Sequence, residues 1–230
     1  MKKIGFIGAY DKTDMLLNIA KILTTMNEKV LVIDSTINQK ARYVVPAINP
    51  TVSYITSFED IDVAVGFNNT DEIKRYTGIV EELPYDVMLI DCDTIERIEN
   101  FQLDIADKNY FVTSFDIYSL KKGIEILSGL KVPMTLTKIL FAKEILKEED
   151  DYLSFLSLGY KVNWDEERIY FPIENGDLSV IAENQRVQKI KFKRLSIQYK
   201  DSLGFIVQQI LKQKKDSDIR NVIKTIERGV

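Results

Sequence analysis

The stretch "IGFIGAYDKTDMLLNIAKIL" (4–23) sets Lys12 and Thr13 where an apolar run gives way to an amphipathic one. A strand, a tight turn and a helix in that order aim backbone N–H groups and the positive end of a helix dipole at one spot, which favours an anion. A lysine there supplies countercharge to a phosphate, and a threonine hydroxyl can hold magnesium. Three carboxylates follow apolar runs and reach the same edge: Asp34 after "VLVI", Asp91 after "VMLI", and Asp93 two residues on. Acids that end buried strands hold magnesium directly or through water. Asp11, next to Lys12, works against this chemistry. Two unit charges about 4 Å apart cost on the order of 4 kcal/mol at an effective dielectric near 20, or about three decades of affinity. Two readings stay open: a working phosphate site, and a closed one in which Lys12 pairs with Asp11 or Asp34.

Composition narrows the alternatives. The chain has no histidine and one cysteine, Cys92. Ser-His and Cys-His nucleophiles, histidine metal sites and an internal disulfide are therefore excluded. With 230 residues, 45% of them hydrophobic, one α/β domain over 1–215 is the expectation, followed by a C-terminal amphipathic helix or tail over 216–230. A formal net charge of -4 leaves no global field to recruit nucleic acid or an anionic membrane, so any such contact must be local. The apolar run in "MKKIGFIGAYDK" is too short for a secretion signal, and no stretch approaches the roughly 20 apolar residues of a membrane span. A cytoplasmic location is expected, with peripheral contact at the inner membrane face as its extension.

The elements that must position these residues alternate. "KIGFIGA", "KVLVIDS" (29–35), "YDVMLIDCD" (85–93), "DKNYFVTS" (107–114), "VPMTLTKILFA" (132–142) and a short "RIYFPIE" (168–174) read as strands. Leu16, Ile19, Ala20 and Leu23 form the apolar stripe of a first helix. "DEIKRYTGIVEEL", "DIYSLKKGIEILSGL" and "QYKDSLGFIVQQILKQKK" read as further helices, and "NPTVSYITSFEDIDVAVGF" as a strand or hairpin. Continuous apolar strands between helices imply a doubly wound, mostly parallel sheet with helices on both faces.

At this point the order of parts resembles the MinD/ParA class of P-loop ATPases, whose deviant Walker A loop reads Lys-Gly-Gly-x-Gly-Lys-Thr, with an asparagine six residues after the second lysine. Here Asn18 stands six residues after Lys12, "YDVMLIDCDT" is similar to the Walker B strand, and "ADKNYFVTSFDIYSLKKGIEIL" to the strand and helix after it. The resemblance covers most of residues 1–130 and returns faintly at "IYFPIENGD", where Pro172 matches the proline of the family's adenine-side loop. It implies ATP or ADP with magnesium, with Gly8, Asp11, Lys12, Thr13 and Pro172 at the nucleotide and Thr13, Asp34 and Asp91 at the metal. If the site is active, Asp34 and Asp91 serve catalysis.

The departures fall on the loop itself. Ile7 stands at the signature lysine, Ala9 at the second glycine and Asp11 at the third. Side chains at 9, 10 and 11 restrict a turn that glycine adopts most easily. Loss of a cation at position 7 removes a charge stabiliser of a kind worth about three to five decades in rate. The leading expectation is a pseudo-ATPase, binding nucleotide weakly or not at all. It would act in positioning or assembly of a bacterial machine (pilus or secretion, conjugation, partition) through protein partners, as a monomer or a nucleotide-independent homodimer. An active ATP-dependent switch on DNA or membrane is the alternative, and an ATP-dependent small-molecule ligase a third.

Two further features carry charge. "RVQKIKFKRLSIQYK" (186–200) offers Arg186, Lys189, Lys191, Lys193 and Arg194 as a basic surface for nonspecific DNA contact, for a partner, or as an edge strand guarded by lysine. The tail sets Ile219, Val222, Ile223 and Ile226 on one face, for packing or for a membrane surface.

Overall fold

The computed structural model describes residues 1–47, 51–142, 147–172 and 174–229, with the side chains of 147–149, 172 and 175 outside that set. Its elements are, in chain order, β1 (Lys2–Ile7), α1 (Thr13–Thr25), β2 (Val30–Asp34), α2 (Ala41–Val44), β3 (Tyr54–Phe58), β4 (Ile61–Val65), α3 (Thr70–Thr77), β5 (Val87–Cys92) and α4 (Ile95–Asn100). Then follow a single 3-10 turn at Leu103–Ile105, β6 (Lys108–Ser114), α5 (Ile117–Ser128), β7 (Met134–Ala142), α6 (Lys147–Leu156), β8 (Val162–Pro172), α7 (Asn175–Val187), α8 (Ile197–Ile210) and α9 (Asp216–Arg228).

The strands form one eight-stranded sheet in the order β3-β4-β2-β5-β1-β6-β7-β8, parallel throughout except for β3 against β4. The mostly parallel, doubly wound sheet read from the sequence is present. The middle region, read as a strand or a hairpin, holds a hairpin: Glu59 and Asp60 turn the chain with φ of 53° and 66°, the left-handed pair that matches strand twist. The helix predicted over "DEIKRYTGIVEEL" is α3 and stops at Thr77, because Gly78 takes a left-handed cap at φ 72°. The short strand expected at 168–174 begins six residues earlier, at Val162. It is an edge strand, and Asp165, Glu166, Glu167 and Arg168 disguise it as loop.

Two apolar layers flank the sheet. One holds α1, α8 and α9 against Ile4, Phe6, Val32 and Leu89; the other holds α4 and α5 against Ile7, Ile33, Ile90 and Phe111. Helix α1 is buried at Met15, Leu16, Leu17, Ile19, Ala20, Ile22 and Leu23, wider than an amphipathic stripe, because α8 and α9 cover the side that the sheet does not. Ile219, Ile223 and Ile226 of α9 are buried in this packing, and Gly204 of α8 lets Ile219 and Ile223 approach. No helix among the described residues is long and apolar enough to cross a membrane.

The basic segment is not a strand. Residues 188–196 form the connection between α7 and α8, anchored by buried Ile190, Phe192 and Leu195, with Lys189, Lys191 and Lys193 pointing out. Alternation in sequence here reflects a loop pinned at every second residue. No ladder partner is involved.

Candidate functional site

The site lies where β1, β2 and β5 end. Asp34 and Asp91 are paired in register on neighbouring strands. They lie on the face that carries α1, since they continue the alternation Val30-Val32-Asp34 and Val87-Leu89-Asp91. Both are 3% exposed, so they do not simply cap strand ends at solvent. Gly8 follows β1 with φ 140°, and a Cβ there would stand 2.1 Å from the Val112 carbonyl oxygen. Only glycine fits, and Gly8→Ala should cost about 3 kcal/mol of stability by denaturant titration.

Lys12 is buried at 2% exposure. Its ammonium donates to the carbonyl oxygens of Gly8 at 2.6 Å and Tyr10 at 3.0 Å and lies 2.9 Å from Asp91 Oδ1. The expected partners Asp11 and Asp34 are both engaged elsewhere. Asp34 accepts from the Thr36 N–H and hydroxyl and from the Ala41 N–H, fastening the loop after β2. Asp11 accepts from the Thr13 N–H at 3.1 Å and pairs with Lys40, which also reaches Asp14 at 3.3 Å. Strand order puts β5, and with it Asp91, next to β1 and under the loop that follows it, and that order decides the lysine's partner.

The contact between Lys12 and Asp91 is a charge pair without the angle of a directed hydrogen bond, so Asp91 Oδ1 has no hydrogen-bond donor among the described residues. Burial pushes this carboxyl up to about 7; Lys12 pulls it down and Asp34 adds to the rise. The folded protein thus keeps a proton that the unfolded chain releases, so stability falls as pH rises from about 4 through 7. Asp91→Asn should remove roughly 2–3 kcal/mol of that fall between pH 5 and pH 7, read from urea midpoints.

The loop's other side chains are also held. Tyr10 stacks on Phe141 with centroids 4.5 Å apart, and Phe141 on Phe171 at 4.8 Å, tying the loop to β7 and β8. Burial and the charge of Asp11 raise the Tyr10 phenol to about 12, so it stays neutral. Asn18 hydrogen-bonds the Tyr199 hydroxyl inside the core. Ile7 is fully buried on the opposite face of the sheet.

A cleft of about 450 Å³ opens above these groups, lined by Gly8 to Thr13, Thr36, Asn38, Lys40, Tyr43, Asp91 and Asp93. The structure brings together Gly8, Asp11, Lys12, Thr13 and Asp91, with Asp34 buried beside Asp91. Asp93 accepts from the Ile37 N–H with both oxygens. Pro172 ends β8 opposite Ala142, and its side chain lies outside the described residues. The five basic residues 186–194 are not among the residues lining this cleft. Sequence reading missed Lys40, Asn38 and Tyr43. The signal for Asn38 and Lys40 was only a polar "INQK" after an acid-ended strand, where ligand-binding loops gather, and Tyr43 carried none.

No family model matches the sequence, and no curated protein matches it. Among solved structures, the MinC:MinD cell division protein complex of Aquifex aeolicus aligns with a TM-score of 0.62 at 14% identity, over 94% of this chain and 97% of that one. A putative plasmid partition protein of Borrelia burgdorferi bound to AMPPNP aligns at 0.61 and 15%, over 93% and 100%. The McdA–ATP complex of Cyanothece aligns at 0.56 and 13%, over 94% and 98%. At such identities the likeness is one of architecture, and on that ground this chain has the MinD/ParA-like fold.

Proposed function

We propose that this chain is a positioning or assembly protein on the MinD/ParA-like fold whose phosphate site is closed at rest, and that it acts through protein partners with little or no nucleotide turnover. The carrying observation is the Asp11 carboxylate, which accepts from the Thr13 N–H while paired with Lys40. An internal anion thus takes a donor at the start of α1 that a phosphate would use. Lys12 turns to loop carbonyls and Asp91, and Ile7 places no cation at the cleft. A neighbouring fold of this type is seen in complex with MinC, which supports protein contact as the mode of action. Association as a monomer or nucleotide-independent homodimer follows from the same closed loop.

A second reading, an ATP-dependent switch, has its own observation. Asp91, whose buried Oδ1 has only the Lys12 charge beside it, is among the residues lining a cleft of about 450 Å³, within the usual range for small-molecule sites, and similar folds bind AMPPNP and ATP. Lys12 and Thr13 would then hold phosphate, and Thr13 with Asp91 a magnesium ion. Asp34 fits that role poorly, because both of its oxygens already accept protein donors. Calorimetric titration of the wild-type protein with magnesium and AMPPNP separates the readings. No heat supports the closed site, and micromolar binding refutes it.

A further inference from the structure

A second concavity lies at the other end of α1. Helix α1 has 13 residues, so its C-terminal end stands about 20 Å from the phosphate loop. There a groove of about 880 Å³, larger than the cleft, runs between the end of α1, the β3–β4 turn, the 189–193 connection and the end of α9. Its lining includes the apolar side chains of Ile190, Phe192 and Ile226.

The charges of the groove do not cancel. Lys21 pairs with Glu59 at 3.2 Å and Asp60 at 3.7 Å, and Glu227 pairs with Lys200. Lys189, Lys191, Lys193 and Arg228 have no carboxylate within ion-pair distance among the described residues. Four uncompensated cations therefore face one groove on a protein whose formal net charge is -4. They are also held in place. The Lys189 N–H donates to Asn184, the Asn184 amide donates back to the Lys191 carbonyl, and Ile190 and Phe192 are buried between the lysines.

We propose that this groove binds an extended acidic segment of a partner protein. Lys189 and Lys191 flank Ile190 ahead of the turn that the Leu195 N–H closes on the Phe192 carbonyl, with Lys193 on that turn, and side chains two apart on unturned backbone stand about 6–7 Å from each other, the spacing of alternate side chains on an extended peptide. Carboxylates on alternate residues of that peptide meet them in turn. The opposite wall argues against a uniform polyanion: Glu59 and Asp60 line it, and the Asp60 side chain is 90% exposed. The aromatic ring nearest the lysines, Phe192, is fully buried and offers no platform for a base. A peptide can turn its basic or neutral residues toward that wall, which a nucleic-acid backbone cannot do.

The test is fluorescence anisotropy on the full chain at 50 mM salt, with three labelled probes: a twelve-residue peptide of alternating Glu and Ser, a twelve-nucleotide oligothymidylate, and phosphatidylserine-containing vesicles. The peptide should bind most tightly. Lys189→Ala, Lys191→Ala and Lys193→Ala combined should weaken it at least about tenfold, and Asp60→Asn, which removes the charge and keeps a residue suited to the left-handed backbone there, should tighten it. All four positions are exposed, so the variants should fold, and Lys122→Glu, outside the groove, should leave binding unchanged. Absence of peptide binding, or binding indifferent to the triple variant, overturns the proposal. Tighter binding of the oligonucleotide or the vesicles, lost in the triple variant, overturns the assigned partner.

Discussion

Asp11→Gly is expected to raise the affinity for magnesium and AMPPNP by about three decades, the largest functional effect of any single change in this chain. Three consequences of the substitution act together. It frees the Thr13 N–H that the carboxylate now occupies. It removes an anion that would sit beside a bound phosphate, where like charges about 4 Å apart cost on the order of 4 kcal/mol at an effective dielectric near 20. It also relaxes the backbone beside Lys12 at a position where a phosphate-cradling turn is easiest for glycine. Lys40 then matters differently. In the wild type its two carboxylate partners outweigh the effect of burial and raise its pKa, so it is a committed cation at the rim of the cleft. Without Asp11 it keeps only Asp14 and can turn to a phosphate, so adding Lys40→Gln to Asp11→Gly should remove about one decade of the gain. Calorimetry on the three proteins, each checked for an intact melt, reads this directly. Equal affinity in wild type and Asp11→Gly would mean that the carboxylate does not close the site. A silent Asp11→Gly would mean that the side chains of Ala9 and Tyr10 close it by themselves.

Much of this arrangement was legible in the sequence because it is local. A strand, turn and helix place Gly8, Lys12 and Thr13 by chain connection alone, and acids that end apolar runs mark the sheet edge beside them. The partner of Lys12 was not legible. Asp11, Asp34 and Asp91 all lie at the same edge, with Asp34 and Asp91 level with each other, and only the strand order, which sets β5 and not β2 beside β1, decides which lies beneath the ammonium. Lys40 was hidden for the same reason, since its role depends on a loop folding back across about 30 residues of chain to reach Asp11. The far side of the fold was less legible still. In 162–172 the charged residues of an edge strand outnumber its apolar ones in the middle, and in 186–194 a loop imitates a strand through buried anchors at 190 and 192. Period-2 alternation reports burial of alternate residues, and a pinned loop can supply that as well as a sheet.

The largest expected effect on stability lies away from the cleft, at Asp150. Lys138 stands in the middle of β7, 6% exposed, on the face that also buries Leu136 and Leu140. Its ammonium donates to Asp150 Oδ1 at 2.7 Å and to the Ser154 hydroxyl at 2.6 Å, both on α6, and lies 4.9 Å from the centre of the Trp164 ring. Arg168 of β8 holds the other carboxylate oxygen, so one buried acid joins α6 to two strands. Asp150→Ala would leave the ammonium in an apolar layer beside a hydroxyl and a ring, with the Arg168 charge no longer screened by the acid and only partly offset by Asp151, and breaking a buried pair from one side typically costs about 3–5 kcal/mol. Replacing both partners by apolar residues of similar shape, Lys138→Met with Asp150→Leu, should recover most of that loss, because the desolvation of the two charges disappears with their attraction. Urea midpoints for the single and double variants separate attraction from desolvation. A single-variant loss below about 1 kcal/mol would show that Lys138 reaches water when its acid is removed. Phe141, three residues beyond Lys138 on the same strand, carries the ring on which Tyr10 stacks. Asp150→Ala should therefore also loosen the phosphate loop, seen as faster amide exchange at Tyr10, whereas the apolar double variant should leave that exchange unchanged.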